Sequence, residues 1–249
     1  MALSRKFLER LHKASFVTVL TGAGMSAPSG IPTFRGKDGL WNKYNAHELA
    51  NVQAFQKNPR RIWEWYRWRR EIIRKASPNP GHFALVDLAK YFPDLQVITQ
   101  NVDGLHQRAG TEKITELHGN IMRSKCIDCT YEAAAREAEY STEIPRCPDC
   151  GAMLRPAVIW FGESLPAAAI DNAQQFSAAA EIIFSIGTSS LVEPAASLPY
   201  LAKGNGAYVV EVNPAETPLS EIADERFTAG ADKFLPALVM VMQKLRKRA

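Results

Sequence analysis

The β-branched apolar run Ser15-Phe-Val-Thr-Val-Leu20 passes directly into Gly22-Ala-Gly-Met-Ser-Ala-Pro-Ser-Gly-Ile-Pro-Thr-Phe-Arg-Gly36. A buried strand that ends in closely spaced glycines has few destinations. Gly22, Gly24 and Ala27 fit the spacing G-x-G-x-x-G/A, in which small residues let backbone N–H groups approach a pyrophosphate and a following helix N-terminus adds partial positive charge. The spacing alone is a weak signal, and a generic Rossmann turn followed by a surface loop also satisfies it. The strand before it is the context that a dinucleotide reading requires. Ser29 to Gly36 then brings hydroxyls, a ring and a guanidinium on a loop broken by prolines, a composition suited to folding over a ligand.

All four cysteines fall into two pairs, Cys126-Ile-Asp-Cys129 and Cys147-Pro-Asp-Cys150, with 17 residues between them. This is the spacing of a tetrahedral zinc site. Two redox-active C-x-x-C motifs or two disulfides are the rival readings, and neither accounts for the paired spacing. With four protein ligands the ion has no open position for water, so its role is structural. The segment around it has too few apolar residues to fold unaided, which makes the metal a large part of its stability.

The periodicity along the chain predicts helix over 2–14, strand over 15–20, loop and short helix over 37–51, and a long helix over 60–75 with an apolar stripe of Ile62, Trp65, Trp68 and Ile72. Helix over 81–92 and strand over 95–99 follow, the strand ending in Gln100-Asn-Val-Asp-Gly-Leu-His106. A short apolar segment, 114–117, delivers His118-Gly119 in the same way. Within the cysteine module a short helix is expected over 132–139. The segment 155–161 is expected to return to the sheet. Helix 166–180, strand 181–186, helix 194–203, strand 207–212 and a final helix 233–248 complete the order, and strand-helix-strand succession implies right-handed parallel crossovers. The fold class is therefore α/β: a Rossmann-like parallel sheet with helices on both faces plus a small zinc-binding domain. The expected division is 1–122 and 155–249 for the nucleotide domain and 123–154 for the zinc module, with 37–80 as a helical insertion joining the small domain.

A net charge of +4 demands neither a general nucleic-acid nor a membrane role, although a local basic patch stays open. No apolar run reaches the roughly 18 residues of a membrane-spanning helix. The early start of the first strand argues against a cleavable signal peptide, and the expected location is cytoplasmic. No strand ending in Asp or Glu occurs about 20 residues after the glycine loop, where a ribose-binding carboxylate is usual. The strand-end groups Gly187-Thr-Ser189 and Asn213 are the available substitutes. Tyr66 and Arg69 lie three apart and share a helix face. Read alone, that helix is a solvated basic helix with aromatic packing, and its interleaved Trp and Arg also suit nucleic acid.

The loop at 22–36 resembles the nicotinamide-dinucleotide loop of the sirtuin family. Gln100-Asn101 with Asp103, His118-Gly119, the two cysteine pairs, Trp160-Phe-Gly-Glu163, Gly187-Thr-Ser189 and Asn213 follow in that family's order. The resemblance implies an NAD-consuming lysine deacylase acting on acylated proteins or peptides, with His118 as general base and Asn101 beside the nicotinamide. It also implies that Gly22, Ala23, Gly24, Ser26, Thr33, Phe34 and Arg35 hold the pyrophosphate and roof the reactive carbon. Asp103 would accept from the carboxamide and Gln100 approach the ribose, while Gly187, Thr188, Ser189, Asn213 and Ala231 would take the adenosine half. Phe161, Gly162 and Glu163 resemble the strand edge that pairs with a peptide backbone. Tyr66 and Arg69 match the Y-x-x-R of the sirtuin branch that prefers succinyl, malonyl and related acidic acyl groups, and Ala27 is that branch's small loop residue. Mono-ADP-ribosyl transfer and a zinc-ribbon nucleic-acid binder are the rival functions; a monomer is the default assembly.

Overall fold

A computed structural model describes residues 3–36, 39–136, 139 and 143–246. Its helices are α1 (Arg5–Lys13), α2 (Ala46–Leu49), α3 (Val52–Lys57), α4 (Pro59–Lys75), α5 (Pro80–Leu88), α6 (Leu105–Ala109), α7 (Ala167–Ala179), α8 (Leu198–Gly204) and α9 (Ala231–Arg246). Its strands are β1 (Phe16–Thr21), β2 (Asp94–Thr99), β3 (Ile114–Glu116), β4 (Gly119–Cys126), β5 (Glu132–Ala134), β6 (Leu154–Val158), β7 (Ile182–Ile186), β8 (Tyr208–Val212) and β9 (Glu225–Phe227).

Six strands form one parallel sheet in the order β3-β2-β1-β7-β8-β9. Its central strands are apolar on both faces because both faces are covered. Val17 and Val19 of β1 pack with Phe7 of α1, Leu88 of α5 and Leu238 of α9. Leu20 turns to the opposite face, against Ala173 of α7 and Leu198 of α8. The chain first builds outward from β1 through β2 and β3, then crosses back to place β7 on the other side. The order therefore reverses between β1 and β7, and a crevice opens at their carboxyl ends. Among the described residues no helix is long and apolar enough to cross a membrane.

The second sheet is small and antiparallel, with β4 between β5 and β6. Two expectations fail here. The segment 155–161 does not rejoin the large sheet; 154–158 is β6, paired with the strand that ends in Cys126. The stretch from Glu132 begins as a strand, not a helix, with Ala133 opposite Ser124. A stretch this short holds little helix on its own, and a ladder partner was at hand. Residues 137–138 of that expected helix lie outside the described residues.

A single apolar cluster joins Trp63, Trp65 and Ile73 of α4 with Ile121 of β4, Leu154 of β6, and Cys126 and Cys147. α4 starts cleanly, with Pro59 in its first turn and the Asn58 side chain accepting from the Arg61 amide at 3.1 Å. Its buried face differs from the expected stripe: Tyr66, Arg69, Arg70 and Ile73 are buried, whereas Trp68 is 41% exposed. Arg70 goes inside because it finds compensation. Arg70, fully buried, donates to the Ile121 carbonyl (2.7 Å), the Arg123 carbonyl (3.0 Å), Ser124 Oγ (2.9 Å) and the Glu139 carboxylate (3.1 Å), and Ser124 also bonds Glu139. Removing one partner of such a pair strands the other charge. Arg70→Met is expected to lower stability by about 3–5 kcal/mol, read as a shift of the urea midpoint. A shift equivalent to a surface substitution would show that the pair is not a strut.

Candidate active site

The crevice is lined by backbone meeting backbone. The Gly22 amide donates to the Ile186 carbonyl (3.0 Å) and the Gly24 amide to that of Gly187 (2.8 Å). A Cβ on Gly22 would lie 2.8 Å from the Gly187 oxygen, and one on Gly24 2.7 Å from the Gly187 Cα, so only glycine fits. The helix expected after the loop is absent. Two 3-10 turns, Ala23–Met25 and Ala27–Ser29, stand in its place, the second carrying Pro28 and closing at left-handed Gly30. No helix dipole of any length therefore points into the crevice from this loop.

Strand-end side chains knit the crevice floor. Gln100 Nε2 donates to Thr188 Oγ1 (3.0 Å), and Asn213 Nδ2 donates to the Thr188 carbonyl (2.7 Å), bringing the ends of β2, β7 and β8 together. Ser189 follows half-buried, while Ala231 opens α9 with its carbonyl against Gly81. Asn101 Nδ2 donates to the Gly22 carbonyl (2.9 Å) and Ser26 Oγ (3.2 Å). Ser26 in turn donates to Asp103 Oδ2 (2.7 Å), whose other oxygen accepts from the Leu105 amide (2.9 Å). Burial holds Asp103 above the usual carboxylate range, against those hydrogen bonds and the pull of Arg69 and Arg108.

His118 stands in the turn between β3 and β4. Gly119 makes that turn possible: its φ is +74°, and a Cβ there would meet the Ala157 oxygen at 2.2 Å. His118 Nδ1 lies 3.0 Å from the Gln100 carbonyl, which can only accept, so Nδ1 carries the proton and Nε2 is left basic. Burial draws its pKa below the ordinary value, partly opposed by that bond. Gln100 thus touches both His118, through its carbonyl, and Thr188, through its amide.

Tyr66 and Arg69 do share a face, and both are buried. The Arg69 guanidinium lies 4.7 Å over the Phe34 ring and 5.9 Å from that of Tyr66, beside Ile31, Pro32 and Leu40. Burial lowers its pKa, opposed by Tyr66 and Asp103. Among the described residues no carboxylate comes within ion-pair distance of it. Phe34 stacks on Trp41 at 5.0 Å, and Thr33 Oγ1 donates to the Arg35 carbonyl. Arg35, Trp41, Tyr44 and Phe161 border an open recess of about 530 Å³. The Phe161 amide donates to the Ala50 carbonyl (2.9 Å), and Gly162 turns the chain with φ +87°. The Glu163 carboxylate is held by Arg155 (2.5 and 2.9 Å) and the Trp160 amide (2.7 Å), so it braces the pocket wall and does not face the recess.

The four cysteine sulfurs lie within 4.8 Å of one another, with Cys126–Cys150 at 3.5 Å and Cys129–Cys147 at 3.6 Å, and none is in a disulfide. Zinc–sulfur bonds of about 2.3 Å in a tetrahedron require sulfur separations of about 3.8 Å, so the thiols fit zinc with no place for water or substrate.

Sequence reasoning missed a layer beneath this floor. Asn79 Nδ2 donates to the Met25 carbonyl (2.9 Å) and to Ser29 Oγ (3.0 Å), pinning the loop to the start of α5. The Asn101 amide donates to Thr99 Oγ1 (3.0 Å), which accepts from Thr21 Oγ1 (2.9 Å), itself 3.0 Å from His106 Nε2. His106 packs on His82 at 4.9 Å. The Asn-Pro before α5 signals a cap, but nothing in one sequence ties it to Met25. Burial pushes His82 down to about 4, and burial together with His82 pushes His106 down to about 3. Both are neutral when folded and protonate first when unfolded, so stability is full above about pH 6.5 and falls as pH drops toward the folded values. The loss is expected at about 1.4 kcal/mol per pH unit for each histidine. Urea unfolding of wild type and His106→Asn between pH 7 and 5 checks this: the variant's slope should be shallower, and parallel slopes would contradict it.

Residues 22–194 match the model of the Sir2 family, the family also called sirtuins. The chain is 51% identical over 236 residues to an NAD-dependent protein deacylase of Aquifex aeolicus, covering 93% of this chain and 96% of that protein. It is similar to a mutant Sir2 homologue solved with ADP-ribose, with TM-score 0.95 and 43% identity over 98% of both chains. A Sir2 protein solved with a p53 peptide and NAD+ aligns with TM-score 0.85 and 33% identity over 96% of this chain and 98% of that one.

Proposed function

Since the chain belongs to the Sir2 family, we propose that it is an NAD-dependent protein-lysine deacylase whose pocket prefers succinyl and malonyl groups, with acetyl removed more weakly. Relatives named as NAD-dependent deacylases support the general activity. The acidic-acyl preference is carried by one observation: a buried guanidinium, Arg69, that no described carboxylate neutralises, set one helical turn from the Tyr66 phenol. A guanidinium fork bonds a carboxylate bidentately, and an acetyl group offers it nothing.

In this reading NAD supplies the ribose that accepts the acyl group, with nicotinamide as leaving group. His118 Nε2 takes a proton from a ribose hydroxyl, its ring held in the right tautomer by Gln100. Asn101 and Asp103, fixed through Ser26, face the nicotinamide end. Gly22, Ala23 and Gly24 make room for the pyrophosphate by lacking bulk, since the amides of both glycines are already bonded to the Ile186 and Gly187 carbonyls. Thr33, Phe34 and Arg35 cover the reacting carbon; Gly187, Thr188, Ser189, Asn213 and Ala231 take the adenosine half. The acylated peptide lies along 161–163 between a nucleotide-binding unit and the zinc-bearing unit that includes α2 to α4; one water is consumed, and the products are nicotinamide, O-acyl-ADP-ribose and free lysine. Zinc, held by Cys126, Cys129, Cys147 and Cys150, keeps the small unit folded.

Leaving a buried charged group unpaired costs about 2–5 kcal/mol, so Arg69→Met is expected to lower the ratio of desuccinylation to deacetylation tens-fold or more. Assays with matched succinyl and acetyl peptides decide it, and equal loss on both would make Arg69 structural. His118→Tyr is expected to end peptide-dependent NAD consumption while zinc content and urea midpoint stay at wild-type values; normal turnover would refute the base assignment.

A further inference from the structure

Arg69 and Tyr66 are held in different ways. Arg69 rests on the Phe34 ring, whereas the Tyr66 phenol is fixed by one hydrogen bond, donated by Trp160 Nε1 at 2.8 Å. An indole N–H only donates, so in that bond the phenol oxygen accepts and its own hydrogen points elsewhere. Among the described residues nothing takes that hydrogen. Burial raises the Tyr66 pKa, against the influence of Arg69 and Trp160, so the hydrogen stays on the oxygen. Tyr66 and Trp160 are each 2% exposed, which keeps water from replacing the bond.

The indole is itself clamped. Arg155 lies 3.4 Å over the Trp160 ring centroid and is anchored by the Glu163 carboxylate and the Val158 carbonyl (2.8 Å). Glu163 also accepts from the Trp160 amide, and the Phe55 ring packs on the indole at 5.3 Å. A ring this constrained has one orientation in which to present its N–H.

From this geometry we infer that Trp160 is a positioning residue for acyl selectivity: its N–H fixes the Tyr66 phenol as acceptor on one side, so that the phenol offers its O–H to the distal carboxylate of an acyl-lysine on the other. The inference rests on the acidic-acyl reading above. It assigns Trp160 no contact with the acyl-lysine or with NAD, and it gives Arg155 and Glu163 the task of holding the indole plane. The ligand class is a lysine amide of a short dicarboxylic acid, since an acetyl tail has no distal acceptor for the phenol.

Trp160→Phe keeps a ring for Arg155 and Phe55 to pack against and deletes the donor. Steady-state constants with succinyl and acetyl peptides at saturating NAD are to be measured for wild type, Trp160→Phe, Tyr66→Phe and the double variant. Trp160→Phe is expected to lower the succinyl-to-acetyl ratio of kcat/KM about three- to tenfold, the worth of one neutral hydrogen bond, mainly through the KM of the succinyl peptide. Tyr66→Phe must lower the same ratio, and adding Trp160→Phe to it should change the ratio no further, because the group being oriented is gone. An unchanged ratio in either single variant, equal loss on both peptides, or an undiminished Trp160 effect without the phenol overturns the inference. A wild-type ratio that favours acetyl and ignores Arg69→Met sinks the acidic-acyl reading and this inference together. A ratio sensitive to Arg69→Met but not to Trp160→Phe sinks only the latter.

Discussion

Everything in the crevice is referred to one close approach, that of the turn after β1 to the turn after β7. Without side chains at Gly22, Gly24 and Gly187, two amide-to-carbonyl bonds join the turns directly, and the strands end at one level. Thr188 then lies where Gln100 and Asn213 both reach it, and Asn101 reaches the Gly22 carbonyl. A methyl group on either loop glycine would push the turns apart and pull on every one of these bonds. The parallel sheet supplies the constraint: its register at Thr21–Ile186 leaves the following residues no other place to go.

Around that fixed point, α4 solves a second problem, the burial of two adjacent cations. Arg70 is satisfied inward by three hydrogen-bond acceptors and Glu139, which locks the helix to β4. Arg69, one residue earlier, rests on Phe34 of the loop that follows β1. The helix is therefore tied on one side to the cysteine-bearing sheet and on the other to the nucleotide loop. A solvated basic helix, the plain reading of its composition, would have left both guanidinium groups in water.

The parallel sheet and the cysteine cluster were legible because each rests on local pattern: β-branched runs ending in small polar residues, and paired thiols at fixed spacing. The swap of 154–158 into the small sheet was not, since a buried strand reads the same whichever sheet it joins, and the choice is made by β4. Glu132–Ala134 was misread for a related reason, its alanine content favouring a helix that ladder pairing overrode. The support layer, His82, His106, Thr21, Thr99 and Asn79, was invisible because its members meet only through tertiary contacts. Glu163 was assigned to the site for its backbone edge, and the bond of its carboxylate to Arg155, which leaves that edge in place, was not legible in the sequence.

The separation of His118 from α4 has a consequence for how such a protein changes over time. The His118 ring is held by the Gln100 carbonyl in the turn before β4, while Tyr66 and Arg69 are borne by a helix that Arg70 ties to β4 and Glu139. Substitutions at Tyr66 or Arg69 leave the supports of the imidazole, and with them its tautomer and orientation, untouched. Under the proposed function, acyl repertoire and reaction chemistry are then free to drift independently within one chain.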